Sequence, residues 1–323
     1  IVVGCGRIAG EIDRHGQREM VLSHAGAYSR HEGFELVACV DPEEQRRRDF
    51  AKTWNIPFSF GSLHEIVDDD LSFDVASVCA PTANHGDILE QLLETKAKAV
   101  FCEKPLTDDV AQSRRLVEAY AKSNKALIVN YQRRWDPNIR ALKEDIESGK
   151  WGRVRCACGF YNKGILNNGS HLVDLAQYLL GSLDLVAVTG AKIDYDSKDP
   201  TVDAVLQTGD GIAVHLVGTD FRDMAFFEFH IVTENGVIGI EEFGFVIRLR
   251  DSGPSSFIPG YKQAERGRWE KTGYGRAMLH AVDNLHAAVA SGEAIKSDGA
   301  NALSVQILCH QVQDMAMSQG FAS

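Results

Sequence analysis

The chain opens with Ile1-Val2-Val3-Gly4-Cys5-Gly6-Arg7-Ile8-Ala9, an apolar run followed by the pattern GxGxxA. The first glycine of this pattern allows a tight turn, the second lets the backbone approach a pyrophosphate, and the small third residue permits close packing of a helix. The opening therefore predicts the first strand-to-helix turn of a dinucleotide-binding Rossmann unit. Only three residues precede Gly4, so we expect further N-terminal residues ahead of Ile1.

Short apolar runs alternate with helical patterns over roughly the first 130 residues, which predicts a doubly wound parallel sheet. The predicted strands are 35–40, 73–79, 99–102 and 126–129. The predicted helices are 24–30, 42–54, 84–95 and 108–123, with Asp108 as the N-cap of the last.

A different pattern begins after Asp136-Pro137. One helix is predicted to run to about Ser148, with Gly149 placed to end it. Turn residues then separate strand-like runs in the manner of antiparallel meanders, residues 251–275 have the composition of a long loop, and two helices close the chain. The predicted strands are 153–161, 185–193, 202–208, 212–218, 225–232, 237–241 and 245–249, and the closing helices are 276–290 and 299–317.

The sequence thus predicts an α/β protein of two domains. Residues 1–131 form a Rossmann domain that binds NAD, and residues 132–323 form an α+β domain with a large, mostly antiparallel sheet for substrate binding and oligomerisation.

Charge and cysteine content exclude several classes of function. Lys and Arg number 34 against 45 Asp and Glu, a net charge of -11 that repels nucleic acid and anionic membranes. No stretch approaches the ~20 apolar residues of a membrane span, and no leader is visible, which predicts a soluble cytoplasmic protein. The 7 cysteines include no CxxC pair, so we expect reduced thiols and no metal site, Cys156-Ala157-Cys158 included.

Asp41 ends the second strand-like run, where a carboxylate accepts hydrogen bonds from the adenosine ribose and repels the additional phosphate of NADP. NAD is therefore the predicted cofactor, with NADP left open by 46–48, three consecutive arginines. The interval from Gly6 to Asp41 exceeds the usual ~20 residues. The excess is polar and includes residues 11–19, which we interpret as an inserted loop, either a surface excursion or a flap or subunit contact.

The tripeptide Glu103-Lys104-Pro105 follows a run typical of a buried strand, so Lys104 is expected at the carboxyl end of a parallel sheet, where ligands bind. Pro105 restricts the backbone of Lys104 and thereby aims its side chain. A lysine placed there can meet a substrate hydroxyl beside a nucleotide cofactor. The alternative is a surface lysine in a loop.

A second informative stretch is 167–175, Asn-Asn-Gly-Ser-His-Leu-Val-Asp-Leu. If helical geometry extends back through it, Asn167 and His171 share a face, and His171 and Asp174 are neighbours. A histidine at a helix start beside a Gly-Ser loop is well placed as a general base. The alternative is a capping or packing histidine.

Taken together, these motifs resemble the glucose-fructose oxidoreductase and inositol dehydrogenase family (Gfo/Idh/MocA) over essentially the whole chain. The resemblance depends on the order and spacing of 4–9, 80–82 with His85, 103–105, 134–137, and His171 with Asp174. It implies an NAD(P)-dependent dehydrogenase that acts on one carbinol of a sugar, polyol or sugar nucleotide. Lys104 would polarise the substrate oxygen and His171 would exchange its proton.

The predicted site follows from these motifs. The cofactor residues are Gly4, Gly6, Arg7, Ile8, Ala9, Asp41, Ala80, Pro81, Thr82, His85, Glu103, Lys104 and Arg134. The substrate residues are Lys104, Tyr131, Arg133, Tyr161, Lys163, Asn167, Asn168 and His171, with structural roles left open for Tyr131, Arg133, Tyr161 and Lys163.

One departure concerns the substrate. Many polyol-oxidising members of the family carry Asp where this chain has Asn167, and a similar Asn occurs in relatives that act on sugar nucleotides. We therefore expect a sugar or sugar-nucleotide dehydrogenase, with an inositol-type polyol dehydrogenase and a non-catalytic cofactor-binding regulator as alternatives. A homodimer or homotetramer is expected, since a broad apolar sheet face needs cover.

Overall fold

The computed structural model describes residues 1–13, 19–68 and 71–321. Among them, six strands form a parallel sheet in the order β3-β2-β1-β4-β5-β6, the doubly wound arrangement that the alternating pattern predicted. The strands are β1 (Val2–Val3), β2 (Ala38–Val40), β3 (Phe58–Phe60), β4 (Val75–Val78), β5 (Ala99–Cys102) and β6 (Ala126–Val129). The helices between them are α1 (His24–Tyr28), α2 (Glu44–Trp54), α3 (Leu63–Asp68), α4 (His85–Leu93) and α5 (Val110–Lys122).

The second sheet contains nine strands among the described residues, and its order is β14-β13-β12-β11-β7-β10-β9-β8, with β15 paired to β13. All its pairs are antiparallel except β7 with β10, which confirms the mostly antiparallel sheet. The strands are β7 (Val154–Tyr161), β8 (Leu183–Asp196), β9 (Asp199–Thr208), β10 (Ala213–Gly218), β11 (Phe227–Thr233), β12 (Gly236–Glu241), β13 (Val246–Pro254), β14 (Lys262–Ala264) and β15 (Arg268–Lys271). The helices are α6 (Pro137–Glu147), α7 (Ser170–Leu180), α8 (Ala277–Ser291) and α9 (Gly299–Ser318).

The structure differs from the sequence predictions at several points, of which the following are examples. Residues 251–275 are not one loop, because β13 extends to Pro254 and pairs with β14 and β15. The N-cap of α5 is Asp109 rather than Asp108, and its carboxylate accepts a hydrogen bond from the Gln112 amide. Both Asp residues satisfy the capping preference, and only the backbone geometry selects between them.

The described residues divide into two compact units. The first unit contains 1–135 and Gly275–Leu303, and the second contains Asp136–Tyr274 and 304–321. Residues 275–303 join the first unit because α8 packs Met278, Val282 and Leu285 into its core. The predicted division of function between 1–131 and 132–323 stays a prediction.

The polar excursion after the glycine-rich turn interrupts a helix. The His24 amide donates to the Ile8 carbonyl at 3.2 Å, and the Ala25 amide donates to the Ala9 carbonyl at 2.8 Å. In a continuous α-helix these bonds would come from residues four positions along, so extra chain is inserted within the first helix of the Rossmann fold. Of the predicted loop, Arg14, His15, Gln17 and Arg18 lie outside the described residues.

No helix in the described ranges is both long and apolar enough to cross a lipid bilayer.

Candidate functional site

The glycine-rich turn has the geometry that its sequence predicts. Gly4 has φ +88°, and a Cβ there would lie 2.5 Å from the Ala80 nitrogen, so only glycine fits between β1 and the end of β4. A Cβ on Gly6 would meet no atom within 4 Å. This open space is where a pyrophosphate could approach the backbone. Arg7 is exposed, Ile8 is half-buried, and Ala9 is fully buried, as close helix packing requires.

Asp41 joins this turn to the start of α2. Its Oδ2 accepts a hydrogen bond from the Cys5 amide at 2.9 Å, and its Oδ1 accepts one from the Glu43 amide at 2.9 Å. Only 4% of Asp41 is exposed. The carboxylate is therefore held rigidly beside the glycine-rich turn, where the ribose of a dinucleotide is expected.

A cleft of about 220 Å³ opens beside Asp41. Its lining includes Glu11, Glu43, Arg46 and Trp54. Arg46 forms ion pairs with both Asp41 and Glu43, so its charge is already compensated. The other arginines of the predicted cluster are also engaged: Arg47 donates to the Asp41 and Pro42 carbonyls, and Arg48 pairs with Glu44. The cleft thus offers a 2'-phosphate little net positive charge.

Asp41→Ala is expected to narrow the preference for NAD over NADP by roughly tenfold, about 1.4 kcal/mol. The substitution removes a ribose acceptor and one of the two carboxylates that pair with Arg46. Calorimetric titration with both cofactors measures the change, and Asp49→Ala, which removes a carboxylate from the lining of the adjacent cleft, is the control. Tighter binding of NADP than NAD by the unmutated protein would contradict the assignment.

Lys104 lies at the carboxyl end of β5, as predicted, and the residue before it is held by a buried polar network. Glu103 Oε1 lies 2.9 Å from His24 Nε2 and accepts a hydrogen bond from Asn130 Nδ2 at 2.6 Å. His24 is fully buried and its ring packs against Phe101, with centroids 4.5 Å apart. The backbone that carries Lys104 is therefore anchored at two points.

The network continues away from Glu103. His24 Nδ1 lies 3.0 Å from the Ser77 hydroxyl, which lies 2.8 Å from the Tyr28 hydroxyl. Burial by itself would raise the pKa of Glu103, but the hydrogen bonds from His24 and Asn130 and the charge of Lys104 hold the pKa below its ordinary value. Glu103 is thus an ionised carboxylate next to Lys104, and the interrupted first helix supplies its buried partner.

The loops that follow β4 and β5 are tied together by His85. Its ring nitrogens lie 2.8 Å from the Ala80 carbonyl oxygen and 2.9 Å from the Pro105 carbonyl oxygen. Only 1% of His85 is exposed. The structure therefore gives His85 a supporting position, whereas Pro81 is exposed and Thr82 half-buried at the same edge. Contact of these residues with a cofactor stays a prediction.

The three predicted residues after β6 lie inside the first unit. Tyr131, Arg133 and Arg134 are 2%, 5% and 6% exposed, and Arg134 Nη1 donates to Asn301 Oδ1 at 3.2 Å. Such burial favours a structural role for this turn.

In the second unit, His171 is the second residue of α7, and helical geometry does extend back from it. The preceding residues, Gly164–Gly169, form a π-helical turn rather than α-helix. Single π-helical turns within helices are rare and occur often at functional sites. Asn167, Asn168 and His171 each keep part of their surface exposed, while Asp174 is buried.

The remaining predicted substrate residues differ in position. The Tyr161 ring is fully buried, and its hydroxyl donates to the Val202 carbonyl and accepts from the Val202 amide. To contact a substrate, that hydroxyl would have to break its hydrogen bonds with Val202 of β9. Lys163 Nζ lies over the rings of Tyr195 and Phe221, 4.4 and 5.2 Å from their centroids.

Sequence reasoning missed the side chains that hold these motifs: His24, Ser77 and Asn130 in the first unit, and Asp194, Asp199 and Thr201 in the second. Each contacts a segment distant in sequence, such as Glu103 for His24, so no local spacing could reveal it.

Within the described ranges, no group of three or more His, Cys, Asp or Glu residues is arranged to hold a metal ion.

The first unit has the fold and glycine-rich turn of a dinucleotide-binding Rossmann protein. Residues 1–131 match the family model described as "Oxidoreductase family, NAD-binding Rossmann fold". This match supports the Gfo/Idh/MocA resemblance over residues 1–131, and NAD is the cofactor named for the matched fold.

Curated relatives match this chain in part. It is 28% identical to the myo-inositol 2-dehydrogenase of Thermotoga maritima over 164 residues, 45% of this chain and 47% of the relative. It is also 28% identical to the scyllo-inositol 2-dehydrogenase (NAD(+)) of Bacillus subtilis over 172 residues, 49% of each protein. The chain thus spans about half the length of the curated relatives it matches.

Solved structures share the whole fold. The UDP-N-acetylglucosamine 3-dehydrogenase of Acidithiobacillus ferrooxidans superposes with a TM-score of 0.77 at 17% identity, over 100% of this chain and 97% of that one. At this identity the similarity establishes the architecture of both units and nothing further.

Proposed function

We propose that the protein is an NAD-dependent oxidoreductase that transfers a hydride between the nicotinamide and a carbinol carbon of a sugar, a sugar nucleotide or a polyol. The observation that carries the proposal is the placement of Lys104. It follows β5 at the carboxyl edge of a Rossmann sheet whose glycine-rich turn has open space at Gly6, and its neighbour Glu103 is fixed by His24 and Asn130.

The residues have separate tasks. NAD, when bound, supplies the hydride acceptor. Lys104 donates a hydrogen bond to the substrate oxygen and stabilises negative charge that develops there. His171 accepts the hydroxyl proton during oxidation and returns it during reduction.

Two substrate classes have specific support. The names of the curated relatives favour a free inositol or related polyol. Asn167 favours a sugar nucleotide or another derivatised sugar, because a similar Asn occurs in members of the resembled family that act on sugar nucleotides.

A panel of inositols, free sugars, and UDP- and GDP-sugars, monitored by absorbance of reduced nicotinamide, tests the proposal. We expect NAD reduction with one substrate class. The kcat/KM for every other class should be at least 10-fold lower than the kcat/KM for that class. Tight NAD binding without reduction by any member of the panel would instead identify a cofactor-binding regulator.

The proposal includes a cytoplasmic homodimer or homotetramer. All seven cysteines are free thiols, as suits a reducing compartment. The second sheet leaves apolar side chains exposed, including Val186 at 55%, Tyr195 at 58% and Val232 at 40%. We expect light scattering at micromolar concentration to give two or four times the chain mass, and a monomer mass would contradict this assembly.

A further inference from the structure

The first backbone amides of the π-helical turn Gly164–Gly169 need hydrogen-bond acceptors from outside the turn. The first amides of a helix have no acceptor within it, so other groups must accept their hydrogen bonds. This turn leads directly into α7 and His171. Whatever binds its amides therefore sets the position of the predicted acid-base residue.

Asp199, the first residue of β9, binds two of these amides. Its Oδ1 accepts a hydrogen bond from the Leu166 amide at 2.8 Å, and its Oδ2 accepts one from the Asn167 amide at 2.9 Å. The contact is close, since a Cβ on Gly164 would lie 2.1 Å from Asp199 Oδ2. A carboxylate suits this position, because the amide end of a helix carries partial positive charge.

Neighbouring side chains complete the support. Thr201 Oγ1 accepts from the Gly164 amide at 2.8 Å, and Asp194 Oδ2 accepts from the Lys163 amide at 2.9 Å. Thr201 in turn donates to Asp194 Oδ1 at 2.8 Å. Strands β8 and β9 thus bind the start of the turn through side chains, and Asp199 holds the part nearest His171.

Asn167 is held on both sides. Its amide donates to Asp199, and its carbonyl accepts a hydrogen bond from the Ser170 hydroxyl at 2.8 Å. We propose that Asp199 is a positioning residue for hydride transfer, because its carboxylate fixes the π-helical turn that presents Asn167 and His171 to the substrate. This inference rests on the proposed function, in which those two residues meet the substrate.

Asp199→Asn tests the proposal with an isosteric change. One acceptor is retained, and the other is replaced by an NH2 group that faces a backbone amide. We expect kcat with the best substrate to fall roughly 10- to 100-fold, since small misplacement of reacting groups has effects of this size. The primary deuterium isotope effect on kcat should rise, and NAD affinity should stay within twofold.

Asp196→Asn is the matched control, because it removes the same charge from an exposed position on the neighbouring strand β8. Its kcat should stay within twofold of the unmutated value. If Asp199→Asn does not fold, Thr201→Val replaces it, since that change removes the acceptor of the Gly164 amide and the donor to Asp194 at the start of the same turn. Full turnover with an unchanged isotope effect in the folded variant would overturn the proposal.

Amide hydrogen exchange separates this inference from the proposed function. The Leu166 and Asn167 amides should exchange at least 10-fold faster in Asp199→Asn than in the unmutated protein. Equal exchange would overturn the positioning role. Absence of turnover in the unmutated protein would overturn the proposed function, while the exchange rates would still decide whether Asp199 holds the turn.

Discussion

Lys104→Met is expected to lower kcat by about 10²- to 10⁴-fold and to leave NAD affinity nearly unchanged. The methionine keeps most of the side-chain length but removes the donor to the substrate oxygen. His171→Ala should lower kcat over the same range, because the proton then has no positioned acceptor. Initial rates at saturating NAD give kcat, and calorimetry gives the cofactor affinity.

The double variant should lose less than the product of the single losses, since residues that act as a unit are not additive. Lys98→Met is the control. Lys98 is an exposed lysine of the first unit that lies just ahead of β5 and forms an ion pair with Asp74. It should keep full activity. Single variants that retain full turnover would show that Lys104 and His171 do not carry the acid-base chemistry.

Gly4→Ala is expected to lower the stability of the fold, whereas Gly6→Ala is expected to lower the affinity for NAD. At Gly4 the methyl group would overlap the backbone at Ala80, and φ is +88°. We expect a loss of about 2 to 5 kcal/mol in the free energy of unfolding. At Gly6 the methyl group meets open space in the structure, so stability should change by no more than about 0.5 kcal/mol.

NAD affinity of Gly6→Ala should nevertheless fall about 10- to 100-fold, or 1.4 to 2.7 kcal/mol, because the methyl group blocks approach of the pyrophosphate. Urea unfolding without cofactor and calorimetric titration with NAD separate the two effects. A Gly6→Ala variant that binds NAD normally would show that the pyrophosphate does not approach this turn.

Local patterns predicted the parallel sheet well because its strands are short, apolar and buried. Residues 99–102 and 126–129 form β5 and β6 at the predicted bounds. By contrast, β3 was missed because two of its three residues are exposed, and β15 was taken as loop because all four of its residues are exposed. The sequence of β15 lacks the apolar pattern on which sequence reasoning depends, and the three residues of β3 are too few to establish one.

Some residues of the candidate site could likewise be predicted from the sequence, and others could not. Lys104 and Asp41 could be placed from sequence because each lies within two residues of the end of a buried strand. The partners of Glu103 could not, since His24 reaches it only after an inserted segment and a return to the interrupted helix. Asp199 was also missed, because its bonds to Leu166 and Asn167 depend on the pairing of distant strands.

Deuterium transfer tests the central claim most directly. The protein is incubated with NAD and with inositols, sugars and sugar nucleotides deuterated at their carbinol carbons, and the reduced nicotinamide is analysed by mass spectrometry. The account predicts deuterium on the nicotinamide with at least one substrate and its loss in Lys104→Met. Calorimetrically confirmed NAD binding without deuterium transfer from any of these substrates would contradict it.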